Sequence, residues 1–278
     1  LMSVVSVGTC NMDFIFRVPR FVEPDSEMNI EDLNVIPGGS AFNFAVWISH
    51  LGFKAGVVSS VGRDVYGDMI TSLLEFRGVD TSFISRQGEK TGMAFISVDD
   101  TGRRSIYSYM GANASLKIGE AESEYIMAAD AVHLSGCYLE VASAVSGIRN
   151  VSFSPGTLLA SYGIERLSGV LERTSIIFLN DDELEMLTGS GRSGIERLLE
   201  AGVGNVVVTH GPRGASFFSE DHSETLEIEA EDALDTTGAG DAFAAGFMSM
   251  WLRGSEPAEC LRNGHRVARR VISRIGAF

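Results

Sequence analysis

Four apolar runs constrain this chain more than any other feature. "SVVSVG" (Ser3–Gly8), "KAGVVSSVG" (Lys54–Gly62), "SIIFLN" (Ser175–Asn180) and "NVVVTHG" (Asn205–Gly211) are short, rich in β-branched residues, and closed by a Gly or polar turn. Such runs read as strands buried on both faces. Between them lie segments with helical spacing. Ala41, Phe44, Ala45, Ile48 and Leu51 form one stripe, closed by Gly52. The segment 64–79 forms a second helix, with Met69, Leu73, Leu74 and Phe76 expected inward. Further helices are expected over 141–148, 158–174, 181–189, 194–202, about 239–252 and about 256–273. Repeated strand–helix units imply an α/β fold, with a mostly parallel central sheet and helices on both faces.

The segment Thr91–Met110 breaks the alternation. Two strand-like runs flank Asp99–Gly102, which is a hairpin turn signal. Paired with the strand-forming stretch Phe14–Val18, which Pro19 ends, this hairpin makes a small sheet standing off the main body. The chain is expected to be one domain over 1–278, with the strands of this small sheet at about 12–36 and 89–112. "GASFFS" and "TLEIEAE" read as an antiparallel pair near the end.

Composition excludes several function classes. A formal charge of −15 argues against a nucleic-acid partner, and the Arg-rich stretch 262–274 reads as a solvated helix face. Cys10, Cys137 and Cys260 lie far apart with no CxxC, and the five histidines have no zinc spacing. Neither a run of membrane length nor a basic-headed leader is seen, so no membrane partner and a cytoplasmic, reducing setting are expected.

Candidate chemistry centres on "DTTGAGDAF", Asp235–Phe243. No GxxxxGK[ST] exists, and Gly238-Ala239-Gly240 lacks the third glycine of a dinucleotide fingerprint, with Phe243 in its place. Ala242, Phe243, Gly246, Phe247, Met250 and Trp251 share a helix face, so Gly238–Gly240 forms that helix's first turn. Free N–H groups there attract an anion, and Asp241 beside them can take a proton from an attacking hydroxyl. Alternatively, Thr237 or Asp241 only caps the helix.

Each remaining motif also has two readings. "PGGSAFN" (37–43) places Gly38 and Gly39 before a helix and Asn43 on its first turn, which suits a polyhydroxylated ligand or only a tight turn. Asn11 and Asp13 follow the first strand, where open sheets bind ligands, or make a polar turn. In "NDDE" (180–183), the acidic groups can orient water around Mg²⁺, or cap a helix. "VVVTHGPRG" supplies Thr209, Gly211 and Gly214 for a nucleotide loop or a hairpin connection.

In this order, these motifs resemble the ribokinase-like family, the phosphofructokinase B type of carbohydrate and nucleoside kinases. The likeness runs over nearly the whole chain, from about Val4 to Gly276. "DTTGAGDAF" is its most specific mark, supported by "PGGSAFNFAVWISHLG" and "VGRDVYG". The resemblance implies ATP- and Mg²⁺-dependent phosphoryl transfer to a hydroxyl. It casts Asp241 as base, Gly238, Ala239 and Gly240 as anion hole, and Asn11, Asp13, Gly38, Gly39 and Asn43 as substrate contacts. It also casts Asn180 and Glu183 as organisers of Mg²⁺ and phosphate, Thr209, Gly211 and Gly214 as nucleotide loop, and His265 as adenine neighbour. Asp235 and Thr237 fall where many members bind a monovalent cation such as K⁺. The small sheet is similar to the family's β-sheet lid, which implies a possible homodimer surface. Ser40 stands where ribokinases often carry Lys, and Met12 would make the pocket more apolar; with Phe95, Ile106 and Tyr109 these leave both sugar and nucleoside acceptors open. A non-catalytic nucleotide or metabolite sensor is the third reading.

Overall fold

The computed structural model describes residues 1–88, 90–189, 191–228 and 238–272. The chain starts with β1 (Ser3–Gly8), then leaves the main sheet for β2 (Asn11–Val18) and β3 (Asp32–Gly38). It returns through α1 (Ser40–His50) to β4 (Lys54–Val61), α2 (Val65–Phe76) and β5 (Val79–Arg86). A second excursion makes β6 (Gly92–Asp99) and β7 (Arg104–Tyr109). Then follow α3 (Glu120–Met127), β8 (Ala131–Ser135), α4 (Leu139–Ala144), β9 (Val151–Ser154), α5 (Gly156–Ala160) and α6 (Gly163–Leu171). Next come β10 (Ile176–Asn180), α7 (Asp181–Thr188), α8 (Arg192–Glu200), β11 (Asn205–Thr209), β12 (Gly214–Phe218) and β13 (Ser223–Glu227). Last are α9 (Ala239–Trp251) and α10 (Pro257–Ile272).

Among the described residues the main sheet has nine strands in the order β13-β12-β11-β10-β9-β8-β1-β4-β5, and only the β11–β12 and β12–β13 pairs are antiparallel. Alternate residues of each strand feed two separate cores, as the period of two requires. Val4, Val57, Ile176 and Val207 pack with α1, α2, α9 and α10 through Phe44, Ile48, Ile70, Leu74, Phe247 and Val267. Val5, Val58, Ile177 and Val208 pack with the helices of the other face through Ile126, Leu159, Leu167, Leu187 and Leu198. The expected two-faced α/β architecture is therefore present. From β1 the chain steps outward to β4 and β5, then restarts at β8 on the other side of β1. This reversal opens a crevice beyond the carboxyl ends of β1 and β8, where ligands of open sheets sit.

The lid is a separate four-stranded sheet, β3-β2-β6-β7, and β2 pairs with β6 in parallel along its length. The hairpin turn lies at the expected place. Asp99 accepts from Thr101 Oγ1 (2.6 Å) and from the N–H groups of Thr101 and Arg103, and pairs with the Arg103 guanidinium.

Several expectations need correction. Asn11 and Asp13 open strand β2 instead of forming a turn. Helix α2 turns Gly67, Ile70 and Leu74 inward, while Met69 and Phe76 are exposed, because only one narrow stripe of this flanking helix meets the sheet. The stretch 158–174 is two helices, broken before Gly163, which adopts φ 76°. The helix expected over 141–148 is α4, lying earlier and ending at Ala144. Strands β5 and β9 were not expected. Met12 is fully buried. Of Phe95, Ile106 and Tyr109, strand register puts only Ile106 on the face of the lid that carries Asp13; Phe95 and Tyr109 lie on the other with Phe14.

Candidate active site

A cleft of about 180 Å³ lies beyond the carboxyl ends of β8 to β11, lined by Ser40, Gly136, Ser154, Asn180, Glu183, Thr209, Gly240 and Asp241 among others. Helix α9 closes one side. Its N-cap is Gly238 in the left-handed region (φ 75°), which itself has no side chain to bond over the helix end. The first-turn N–H groups of such a helix have no intrahelical acceptor. A Cβ built on Gly240 would meet no heavy atom within 4 Å. Among the described residues, nothing therefore blocks close approach of a ligand to the backbone at Gly240.

Helix α1, which also starts after glycine, is different. The N–H groups of Ala41 and Phe42 donate to the Thr9 carbonyl (3.2 and 3.3 Å). Gly39, at φ 95°, is pressed so closely on the β1–β2 connection that a Cβ would lie 2.6 Å from the Thr9 carbonyl oxygen. A Cβ on Gly38 would fall 2.1 Å from Asp13 Oδ2. These glycines thus have an internal packing reason, and the N-terminus of α1 is occupied by the protein's own carbonyl.

Asp241 sits in the first turn of α9 and faces the cleft. Asn43 Nδ2 of α1 donates to its Oδ2 (2.9 Å). Burial pushes the Asp241 carboxyl up to about 7, the Asn43 bond opposes this, and the nearby Glu183 charge adds to it. The carboxyl is thus poised near neutrality. Asn43 Oδ1 is buried and has no hydrogen-bond partner among the described residues.

Asn180 and Glu183 form a reciprocal cap on α7: Glu183 N–H donates to Asn180 Oδ1 (2.8 Å), and Asn180 N–H donates to Glu183 Oε2 (3.1 Å). The capping reading therefore holds, and it also delivers Glu183 to the cleft. Burial raises Glu183 above its ordinary value against the Asn180 bond, with Asp182 adding in the same direction. Among the described residues, no group of three or more His, Cys, Asp or Glu forms a metal cage. Two carboxylates facing one cleft suit Mg²⁺ carried in with phosphates, which needs only one or two protein carboxylates.

Of the nucleotide-loop candidates, Thr209 lines the cleft and Gly211 (φ 57°) is open around its Cβ position. Gly214 is pressed against the Leu226 carbonyl of β13, so its lack of a side chain serves strand pairing. His265 is half-buried on α10 and is not among the residues lining the cleft. Asp235 and Thr237 lie outside the described residues.

Sequence reasoning missed Asn113. It is buried just after the lid, where its Nδ2 donates to Asn11 Oδ1 (2.8 Å) and to the Cys10 carbonyl (3.2 Å), and its Oδ1 accepts from Cys10 N–H (3.2 Å). Asp64, within "VGRDVYG", is a second such residue. It caps α2 and binds the lid strand, accepting from Thr91 Oγ1 (2.5 Å), Thr91 N–H (2.8 Å) and Gly67 N–H (2.9 Å). Burial works against its ionisation, yet these bonds together hold it below its ordinary value. Both partnerships join residues distant in sequence, so no local signal exposes them.

The family model for pfkB family carbohydrate kinases matches residues 2–278. The chain belongs to this family. A nucleoside kinase of Methanothermobacter thermautotrophicus is 33% identical, over 97% of this chain and 89% of its own length. An ATP-dependent ribose-1-phosphate kinase of Halopiger xanaduensis is 31% identical, over 100% and 94%. The crystal structure of a ribokinase from Thermotoga maritima superposes with a TM-score of 0.87 at 29% identity, covering 100% of this chain and 95% of that one. As a pfkB family member, the protein is a phosphotransferase with an alcohol acceptor.

Proposed function

We propose that the protein transfers the γ-phosphoryl group of ATP to a hydroxyl of a sugar or sugar-like substrate, with Asp241 as base and the turn Gly238–Gly240 as anion hole. One observation carries this reading: a carboxyl near neutrality stands in the first turn of a helix, beside the uncrowded backbone of Gly240, and both line one cleft. Asp241 takes the proton as the acceptor oxygen attacks. The N–H groups of α9 hold the charge that develops on the transferred group. Glu183, held by Asn180, is the residue to carry Mg²⁺, which when bound neutralises phosphate charge. Thr209 and Gly211 border the donor. Asn11 and Asp13, at the base of the lid, face the acceptor, and closure of the lid excludes water.

A nucleoside acceptor is the second reading, favoured by the likeness to a nucleoside kinase at 33% identity. A homodimer would use the lid's aromatic face, where Phe95, Tyr107 and Tyr109 are exposed. ADP release over a panel of sugars, sugar phosphates and nucleosides with Mg²⁺-ATP tests the acceptor class, and activity on nucleosides alone would overturn the sugar reading. Asp241→Asn should retain ATP binding and lose turnover by orders of magnitude. Near-normal turnover in that variant would sink the role given to Asp241.

A further inference from the structure

We infer that His210, acting through Asp181, is a positioning residue for the nucleotide: a side-chain relay from α7 to β13 holds the Asn180–Glu183 turn against the loop that begins at Thr209. Asp181 is the first residue of α7, between Asn180 and Glu183. His210 Nδ1 lies 2.8 Å from Asp181 Oδ1, and Arg213 Nη2 donates to Asp181 Oδ2 (2.9 Å). On the other side of the ring, His210 Nε2 lies 2.9 Å from Ser216 Oγ, which meets Thr225 Oγ1 at 3.1 Å. The relay thus crosses α7, the β11–β12 turn, β12 and β13. Its near end is sequence-adjacent to Asn180 and Thr209, which both line the cleft.

The fold does not require this relay. The β11–β12 turn is already closed by backbone bonds, from His210 N–H to the Gly214 carbonyl (2.8 Å) and from Arg213 N–H to the His210 carbonyl (3.2 Å). What the side chains add is a link from this turn to α7, the helix that presents Glu183. The link also offsets charge. Asp181 stands beside a cleft read as binding phosphates, where a bare carboxylate would repel them, and two cationic-capable side chains face it. The two hydroxyls keep the relay satisfied in either state of the ring. With Nε2 bare, Ser216 donates to it and Thr225 donates to Ser216. With Nε2 protonated, it donates to Ser216, which then donates to Thr225. Nδ1–H donates to Asp181 in both. The Arg213 side chain is 75% exposed and packs little; His210 is only 23% exposed, so its replacement by Leu keeps an apolar side chain of similar bulk in that space while removing both ring hydrogen bonds.

This inference rests on the reading of the cleft as the nucleotide site. Calorimetric titration of Mg²⁺-ATP into the full chain, without acceptor, separates the two. The wild type should bind. His210→Leu should bind about tenfold more weakly, the worth of one hydrogen bond to a charged group, with its melting temperature and the acceptor KM unchanged. His210→Asn, whose amide can still donate to Asp181, should recover most of the affinity. Binding by His210→Leu as tight as by the wild type overturns the inference alone, as does His210→Asn being no better than His210→Leu. A wild type that does not bind Mg²⁺-ATP overturns both the inference and the reading beneath it.

Discussion

Removing the Asn43 amide should move the pH dependence of catalysis by an amount the site allows to be worked out. Asn43 Nδ2 donates to Asp241 Oδ2 at 2.9 Å and so favours the ionised carboxylate. Asp241 stands at about 7 with that bond in place. A hydrogen bond to a charged group is worth about 1.5–3 kcal/mol, or roughly 1–2 pK units. In Asn43→Ala the carboxyl should therefore titrate at about 8–9. At pH 7 the wild-type base is roughly half ionised and the variant's about 1–10%, so kcat/KM should fall about 5- to 50-fold and return as the pH approaches 9. The replacement strands no partner of Asn43 Oδ1, which has none among the described residues, and leaves Asp241 Oδ2 as the one acceptor that loses its donor. The assay is the pH profile of kcat/KM for the acceptor, whose acid limb reports the base of the free enzyme. An acid limb that stays near 7 or moves downward would refute the reasoning. A loss unchanged at pH 9 would instead assign Asn43 to direct contact with the acceptor.

Three further outcomes are expected. Gly240→Ala should fold at least as stably as the wild type, since its Cβ meets nothing within 4 Å and Ala is the better helix former, yet Mg²⁺-ATP binding should weaken at least tenfold; calorimetry and a melting curve read the two effects separately. Asn113→Leu should raise the acceptor KM about tenfold and leave the KM for ATP unchanged, because Asn11 loses the group that orients its amide. His133 is buried and held down to about 3 by desolvation, so the folded state keeps it neutral. Its contribution is present above the ordinary value of 6.5 and is lost as pH falls toward 3, by at most about 5 kcal/mol. Urea titrations of His133→Leu between pH 7 and 4 should show a shallower acid loss than the wild type.

The architecture was legible where a strand is buried on both faces. "SVVSV", "SIIFL" and "NVVVT" have no polar alternation, and only a covered parallel sheet accepts that pattern. β5 was not legible for the opposite reason: "VDTSFISR" is an edge strand with partly exposed positions. β9 is only four residues, shorter than a periodic pattern can reveal. The inward face of α2 was misread because Met69 and Phe76 are apolar but face solvent. At the site, the Asn180–Glu183 spacing announces its cap, and Gly238-Ala239-Gly240 announces a helix start. The Asn43–Asp241 bond joins residues 198 apart, and the Asn113–Asn11 bond residues 102 apart. The first is made where α1 packs on α9 and the second where the chain enters and leaves the lid, which no local spacing encodes. A histidine whose two ring nitrogens serve separate strands and helices is equally invisible before the fold is known.

The Thr9 carbonyl beneath α1 has one more consequence. Two glycine-started helices reach the same crevice, and the amide groups of α1 are plugged by the chain itself. If those of α9 hold the phosphates, as proposed, the crevice is polar in the directional sense, like a socket with one live terminal. A tethered bisubstrate compound, an acceptor and a nucleotide joined through a phosphate chain, should then bind in one direction only. A reversed tether, equal in length and charge, should find no seat for its phosphates at the α1 end.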